Sequence, residues 1–262
     1  MQPILFRIGS VSVPAHSFMF SLAFVIGTLI AIGICKKKSI SVKKIFGLII
    51  LVQVSGTLGS RLLFVVNNYS QFKTDLQKIF NISLGGFFFT GGLILGMIAA
   101  VIYIRLAKLP FWKISDCAVP SLAAGIFITK IGCFLGGCCY GKKTSFFLGV
   151  QFPADSLAAQ KFGFPHLVHP TQLYEAFSGL IILAITILYV HKHRKFEGQL
   201  FLSFMTLYLI VRTLNEALRG DVVHNFVFNL SQTQFFNIIL IFFAVPVYWM
   251  KLRTSKTETK KM

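Results

Sequence analysis

Seven runs of mainly apolar residues divide the chain, at 14–35, 45–66, 86–107, 117–138, 172–190, 199–218 and 234–250. A helix of about 20 such residues spans the roughly 30 Å hydrocarbon core of a bilayer. The pattern therefore predicts an all-α polytopic membrane protein with seven transmembrane helices. Two long connections, 67–85 and 139–171, carry aromatics, prolines and glycines rather than the makings of a soluble domain, and are expected to form a small cap. No fixed-period repeat or low-complexity tract interrupts this order. The chain reads as one integral membrane domain (1–250) and a short basic tail (251–262). Its opening stretch, MQPILFRIGSVSVPAH, lacks the cationic start, short apolar core and small-residue cleavage site of a secretory signal. The first apolar helix is expected to be retained.

Charge in the connections sets the orientation. One side carries Lys36, Lys37, Lys38, Lys43 and Lys44, then Arg105, Lys108 and Lys113, then Lys192, Arg194 and Lys195, with Lys251, Arg253, Lys256, Lys260 and Lys261 in the tail. The other carries Arg7, Lys73, Lys78, Lys142, Lys143, Lys161 and Arg219. Sixteen cations against seven assign the first set to the cytoplasm, because cytoplasmic loops hold the Lys and Arg excess. The N-terminus is then outside, the C-terminus cytoplasmic and the cap outward-facing, which requires an odd number of spans.

Composition agrees. Of the 262 residues 55% are hydrophobic and only 13% charged, about half the roughly 25% charged residues of a soluble domain. A water-facing surface cannot be made from this chain. Its net charge of +18 reads as loop charge. No basic segment is interleaved with stacking aromatics, so the expected partner is the lipid bilayer and not nucleic acid.

Three cations, Arg61, Lys130 and Arg212, lie inside apolar runs. A charge at the bilayer centre costs at least about 2.5–3.5 kcal/mol and demands a partner or a wet cavity. In YLIVRTLNEALRGDV, Arg212 and Glu216 are four apart and Glu216 and Arg219 three apart, so a helix sets all three on one face as an ion triad. Against these cations stand few in-span carboxylates, Glu175 and Glu216. An uncompensated positive pocket at this depth would suit the phosphate of a phospholipid headgroup, with Arg offering a bidentate fork and Lys a point charge. The plainer reading is charge pairing that locks helices together.

Gly85, Gly86, Gly91, Gly92, Gly132, Gly136, Gly137 and Gly141 gather toward one end of their spans. They serve close helix packing, backbone approach to a ligand, or both. In HPTQLYEA (169–176), Thr171 is a candidate N-cap and Glu175 falls near the first helical turn, where negative charge is favoured. That placement explains Glu175 structurally; a catalytic carboxylate is the second reading. His16 and His169 read as interfacial hydrogen-bonding residues.

Three of the five cysteines, Cys133, Cys138 and Cys139, fall in KIGCFLGGCCYGKKT. They lack the paired spacing of a structural zinc site and have no companion pair, so no metal is expected. A vicinal disulfide, a thiolate activated by Lys130, Lys142 and Lys143, and small residues at a crowded turn are the readings left open.

Together these segments resemble the prolipoprotein diacylglyceryl transferase family. VPAHSFMF, GSRLLFVV, GGFFFTGG, GIFITKIGCFLGGCCYG, HPTQLYEA, RTLNEALRGD and TQFFNIIL occur in the family's order along nearly the whole chain. The family signature, G-R-I-G-N-F-x-N-G-E-x-x-G, falls on the cysteine segment. Lys130 takes the arginine place, Cys133 the asparagine place and Cys138 the glutamate place, while Gly132 and Gly141 are kept. Thr90 stands where the family has a histidine and Phe18 where it has a tyrosine. Arg212, Glu216 and Arg219 match the R-x-x-x-E-x-x-R pattern, and Arg61 matches G-x-R-L.

The resemblance implies a multi-pass enzyme of the bacterial plasma (inner) membrane. Such an enzyme transfers a diacylglyceryl group from phosphatidylglycerol to the lipobox cysteine thiol of a prolipoprotein signal peptide, releasing glycerol 1-phosphate, and needs no cofactor. It assigns chemistry to Arg212, Lys130, Glu216, Thr90 and Cys138, and headgroup binding to Arg61, Arg219, Gly91, Gly132, Gly141 and Glu175. A thiol titrates near about 8.5 and must lose its proton on attack. Threonine cannot act as a base, although its hydroxyl can orient a headgroup or water. Glu175, Glu216 and a Cys138 thiolate are the substitute candidates. A transferase with a different acceptor and a lipid-binding protein without turnover are the alternatives. A transporter is disfavoured, since neither inverted halves nor paired broken helices are present.

Overall fold

The computed structural model describes all residues except 1–2, 10, 74–78, 80–85, 87, 224–225 and 260–262. Gly85, and Lys78, Lys260 and Lys261 of the charge count, lie outside the described residues. The chain opens on an antiparallel hairpin, β1 (Ile4–Ile8) and β2 (Val11–Pro14), turned through Gly9 at φ 59°. Helices α1 (Ala15–Lys37) and α2 (Val42–Asn67) follow, then a single turn, α3 (Tyr69–Phe72), and α4 (Phe89–Leu106). Next come α5 (Phe111–Gly136), strand β3 (Val150–Gln151), the short α6 (Leu157–Phe162) and strand β4 (Leu167–Val168). The chain ends on α7 (Thr171–Ile185), α8 (Gln199–Ala217) and α9 (Gln232–Thr259).

Six of these helices are long and apolar enough to cross a membrane: α1, α2, α5, α7 with its continuation to Val190, α8 and α9. Over the run expected to be the third span lies α4, a shorter apolar helix that is not among these six. Leu29, Leu62, Leu188 and Phe242 stand exposed on these helices, an outer surface that only a lipid solvent tolerates. The molecule is a multi-pass helical membrane protein. Its last helix continues through Lys251 and Arg253 to Thr259, beyond the apolar run that predicts it.

The chain divides into two compact units, Met1–Ala31 with Ser115–Met262, and Ile32–Ile114. In the second, α2 and α4 pack through glycines. A Cβ on Gly59 would meet the Gly91 carbonyl, one on Gly91 would lie 2.6 Å from Leu63 Cβ, and one on Gly92 would meet the Ser60 hydroxyl. The absence of these side chains is what lets the two backbones touch.

In the first unit, Val119, Ala123, Ile182, Leu200 and Phe204 form a buried core where α5, α7 and α8 meet. Asp116, 3% exposed, fixes the start of α8. Its carboxylate accepts from the backbone N–H of Gly198 at 2.8 Å and of Phe201 at 3.0 Å, and meets Arg194 at 3.6 Å. Those N–H groups have no partner within the helix, so a buried anion there satisfies both valence and dipole. The connection after α5 folds over its own small core of Tyr140, Phe152, Ala158 and Val168.

Candidate functional site

Four helix ends meet at one place in the first unit: the C-terminal ends of α5 and α8 and the N-terminal ends of α7 and α9. Lys130 comes from α5, Glu175 from α7, and Arg212 and Glu216 from α8. Lys130 Nζ lies 3.0 Å from Glu175 Oε2, and Arg212 Nε lies 3.2 Å from Glu175 Oε1. Arg212 Nη1 reaches Glu216 Oε2 at 2.5 Å, and the same oxygen takes Arg219 Nη1 at 3.3 Å. Arg219 closes the series on Asp221 with two bonds, Nε to Oδ1 at 2.9 Å and Nη2 to Oδ2 at 2.8 Å. Lys130, Glu175, Arg212, Glu216, Arg219 and Asp221 thus alternate in sign along one ladder.

The triad Arg212–Glu216–Arg219 is present as its helical spacing predicts. The expectation of an uncompensated positive pocket is corrected: three cations meet three carboxylates, because Glu175 bridges α5 to α8 and Asp221 joins beyond the end of α8. Glu175 and Glu216 are 2% and 1% exposed. A buried carboxylate of this kind requires both ion pairs and hydrogen bonds to offset its desolvation. Tyr208 donates to Glu175 Oε1 at 2.7 Å, Asn215 donates to Glu175 Oε2 at 3.4 Å, and Ser231 donates to Glu216 Oε1 at 3.1 Å. Both carboxylates proposed as bases are therefore engaged in bridging two cations each. Arg212 Nη2 and two of the three Lys130 N–H donors keep no partner among the described residues.

Thr171 does not cap α7, correcting the sequence expectation. The N-cap is Pro170, and the Thr171 hydroxyl instead donates to the Cys139 carbonyl at 2.6 Å. Beside it, Gln172 Nε2 donates to the Cys138 carbonyl at 2.6 Å. These two bonds tie the turn after α5 to the start of α7. Gln172 Oε1 and Asn215 Oδ1 are buried acceptors that meet no donor among the described residues. The segment leaving the turn then runs between two others. Gly141 N–H donates to His169 O at 2.9 Å, Lys142 N–H to Leu218 O at 2.8 Å, and Gly220 N–H to Tyr140 O at 2.9 Å. A Cβ on Gly141 would sit 2.5 Å from both the Cβ and the carbonyl oxygen of His169, so glycine is demanded by the crossing. Gly132 has the same role against α1, where a Cβ would lie 2.6 Å from Met19 Cβ.

Cys133 sits in the last turn of α5, and the chain then folds back on it. Gly137 and Cys139 take φ of 73° and 60°, and Cys138 N–H donates to Cys133 O at 3.2 Å. The three sulfurs lie within 4.8 Å of one another, with Cys133 buried and the other two partly exposed. The Cys139 thiol is lowered from its ordinary value, because Cys133 and Cys138 donate to its sulfur and Lys130 and Arg219 favour its negative charge, against burial. Arg219 is raised: burial opposes its charge, but the bonds to Asp221 and the fields of Cys139, Asp221 and Glu216 prevail.

Arg61, Thr90 and Gly91 belong to the second unit. Arg61, 8% exposed, donates through Nε to Ile79 O at 2.9 Å and through Nη1 to Gly86 O at 3.2 Å. Its guanidinium also faces the rings of Phe64 and Phe72 at 5.7 and 5.5 Å. Thr90 lies in the first turn of α4 and Gly91 at the contact with α2 described above.

Sequence reasoning passed over Gln172, Tyr208, Asn215, Ser231 and Asp221. For the first four the signal was uncharged polarity within or beside apolar runs, and for Asp221 it was an acid two residues beyond Arg219. Tyr208, Arg212, Asn215 and Glu216 follow one another at four, three and one residues along α8, which places them on one face with Arg219.

The model of the family described as prolipoprotein diacylglyceryl transferase matches residues 3–250. A Clostridium tetani protein named phosphatidylglycerol–prolipoprotein diacylglyceryl transferase is 30% identical over 248 residues, covering 95% of this chain and 97% of its own. A Clostridium perfringens protein, named transferase 2 of the same activity, is 29% identical over 259 residues and 99% of each chain. One from Clostridium botulinum is 29% identical over 224 residues, with 86% of this chain and 87% of its own covered.

Proposed function

The chain belongs to the prolipoprotein diacylglyceryl transferase family, and from that premise we propose that it transfers a diacylglyceryl group from phosphatidylglycerol to the lipobox cysteine thiol of a prolipoprotein. In the bacterial plasma membrane it takes seven spans, α4 being the shortest, with the N-terminus outside, the C-terminus cytoplasmic and the 139–171 cap facing outward. The excess of Lys and Arg in one set of connections supports this orientation. Residues 1–250 act as one membrane domain, with the basic residues from Lys251 onward at its cytoplasmic end.

The observation that carries the reading is the ion ladder from Lys130 to Asp221. In the transfer, the acceptor sulfur bonds to the glycerol carbon, the carbon–oxygen bond to phosphate breaks, and glycerol 1-phosphate departs. The thiol proton passes to a base, for which Glu175, Glu216 and Cys138 are the candidates, while the phosphate passes from one negative charge to two, so charge balances between reactants and products. Donors fixed around that phosphate bind the transition state more tightly than the lipid, which is the condition for catalysis. Glu175 holds Lys130 and Arg212 side by side on its two oxygens, and their remaining N–H donors form the clamp. Glu216 and Arg219 hold Arg212 in register, and Gly132 and Gly141 let the surrounding backbones close. Arg61 and Gly91 are further candidates for headgroup binding, Thr90 for orienting a headgroup or a water, and Cys138 for taking the thiol proton. Replacement of family residues by Thr90, Cys133 and Cys138 favours one second reading, a transferase with a different acceptor.

Release of glycerol 1-phosphate from headgroup-labelled phosphatidylglycerol tests the clamp. Release that requires a lipobox peptide and disappears in Arg212→Ala is expected. Release that continues unchanged in Arg212→Ala would remove the clamp from the reaction.

A further inference from the structure

The three-cysteine cluster lies outside the ion ladder, and Cys133 and Cys139 have no part in the transfer proposed above. We propose that Cys133, Cys138 and Cys139 form a binding site for a single soft, thiophilic metal ion of the Cu(I) or Zn(II) class. The C-x4-C-C spacing hides this site from the sequence, because adjacent cysteines in an extended segment point apart. The turn reverses that. With Gly137 and Cys139 both at positive φ, the chain doubles back and brings all three sulfurs within 4.8 Å. Three thiolates bound to one ion at about 2.3 Å stand about 4 Å apart in a plane, so little movement is needed.

The surroundings suit an ion better than they suit three unrelated small residues. Glycine is the residue that favours φ near 60°, and Cys139 adopts it although it carries a side chain. Buried side chains pin the backbone of both exposed ligands: Gln172 on the Cys138 carbonyl and Thr171 on that of Cys139, each at 2.6 Å. Such outer bonds are what orient metal ligands. Three thiolates on a mono- or dication leave an excess of negative charge, and Lys130 and Arg219 act on Cys139 with the opposite sign. Cys138 and Cys139 are partly exposed while Cys133 is buried, which gives the ion an entrance and a floor. Thiolate ligands select soft cations over Mg2+ or Ca2+. No fourth His, Cys, Asp or Glu joins the group among the described residues, so the ion is three-coordinate or keeps one open position.

Full-length protein in detergent, reduced and kept free of oxygen and lipid substrate, is titrated with Cd(II), whose thiolate complexes absorb in the ultraviolet. One equivalent bound, with that absorption and with Cys133, Cys138 and Cys139 protected from maleimide, is expected; excess Mg2+ is not expected to compete. Cys138→Ser and Cys139→Ser should each weaken binding at least tenfold while keeping the melting temperature of the metal-free protein. Cys35→Ser/Cys117→Ser should bind as the parent does. Absence of stoichiometric binding by the reduced parent, or binding unchanged in Cys138→Ser and Cys139→Ser, overturns the site. Loss confined to the Cys35→Ser/Cys117→Ser protein does so as well.

Discussion

Arg212, on α8, bonds Glu175, on α7, through Nε and Oε1 at 3.2 Å. The pair joins two helices that local sequence cannot connect, and it converts three separate in-span charges into one ladder. Glu175 also holds Lys130 on its other oxygen, so this single carboxylate positions cations from two helices.

Replacing that carboxylate by its amide leaves Lys130 and Arg212 with one anion fewer in a buried setting. Glu175→Gln is expected to destabilise the protein by about 3–5 kcal/mol, the range seen when one partner of a buried ion pair is removed. Thermal unfolding in detergent reads the loss, and transfer should fall with it as the clamp loses its geometry. An unchanged melting temperature would mean that the ladder contributes nothing to stability.

Gly141 gives a sharper steric test. A Cβ there meets backbone and side chain of His169 at 2.5 Å, and neither is a flexible end that can swing away. Gly141→Ala is expected to cost about 1–3 kcal/mol by overpacking and to reduce transfer, since the crossing sits beside Cys139 and Arg219. Gly125→Ala, where nothing lies within 4 Å, is the matched control and should unfold as the parent does.

Asp116 is remote from the ladder, at the opposite end of α5 and α8. Asp116→Asn keeps the shape of the cap but removes its charge, and Asp116→Ala removes both bonds to the α8 N–H groups. The alanine variant is expected to lose about 1–2 kcal/mol, the asparagine variant less. Transfer per folded molecule should be unchanged in both, measured as specific activity after removal of aggregates.

The parts legible in the sequence were those governed by local rules. Apolar length located the long helices, although α5 starts six residues before its run and α9 ends nine after its own, and helical spacing placed Arg212, Glu216 and Arg219 together. What was hidden depended on contacts distant in sequence. Nothing around Glu175 announces that Lys130 lies across from it, so the cations looked uncompensated when they are paired. Thr171 looked like a cap because its type and position fit one, but the Cys139 carbonyl takes its hydroxyl instead. The hairpin at Ile4–Pro14 escaped notice beside the long apolar runs, its strands being only five and four residues. Asp116 stands as a lone acid one residue before the 117–138 run, a signal that local pattern does not connect to the start of α8.

Transfer itself can be followed on the peptide. Purified protein in nanodiscs is given phosphatidylglycerol and a lipobox peptide, and the mass of the peptide is recorded with time. A gain of one diacylglyceryl group, lowered about 10²-fold or more by Arg212→Ala in a protein that still inserts and folds, is the expected result. An Arg212→Ala protein that lipidates the peptide at the parent rate would contradict the phosphate clamp, and a parent that binds phosphatidylglycerol but never modifies the peptide would contradict the transfer.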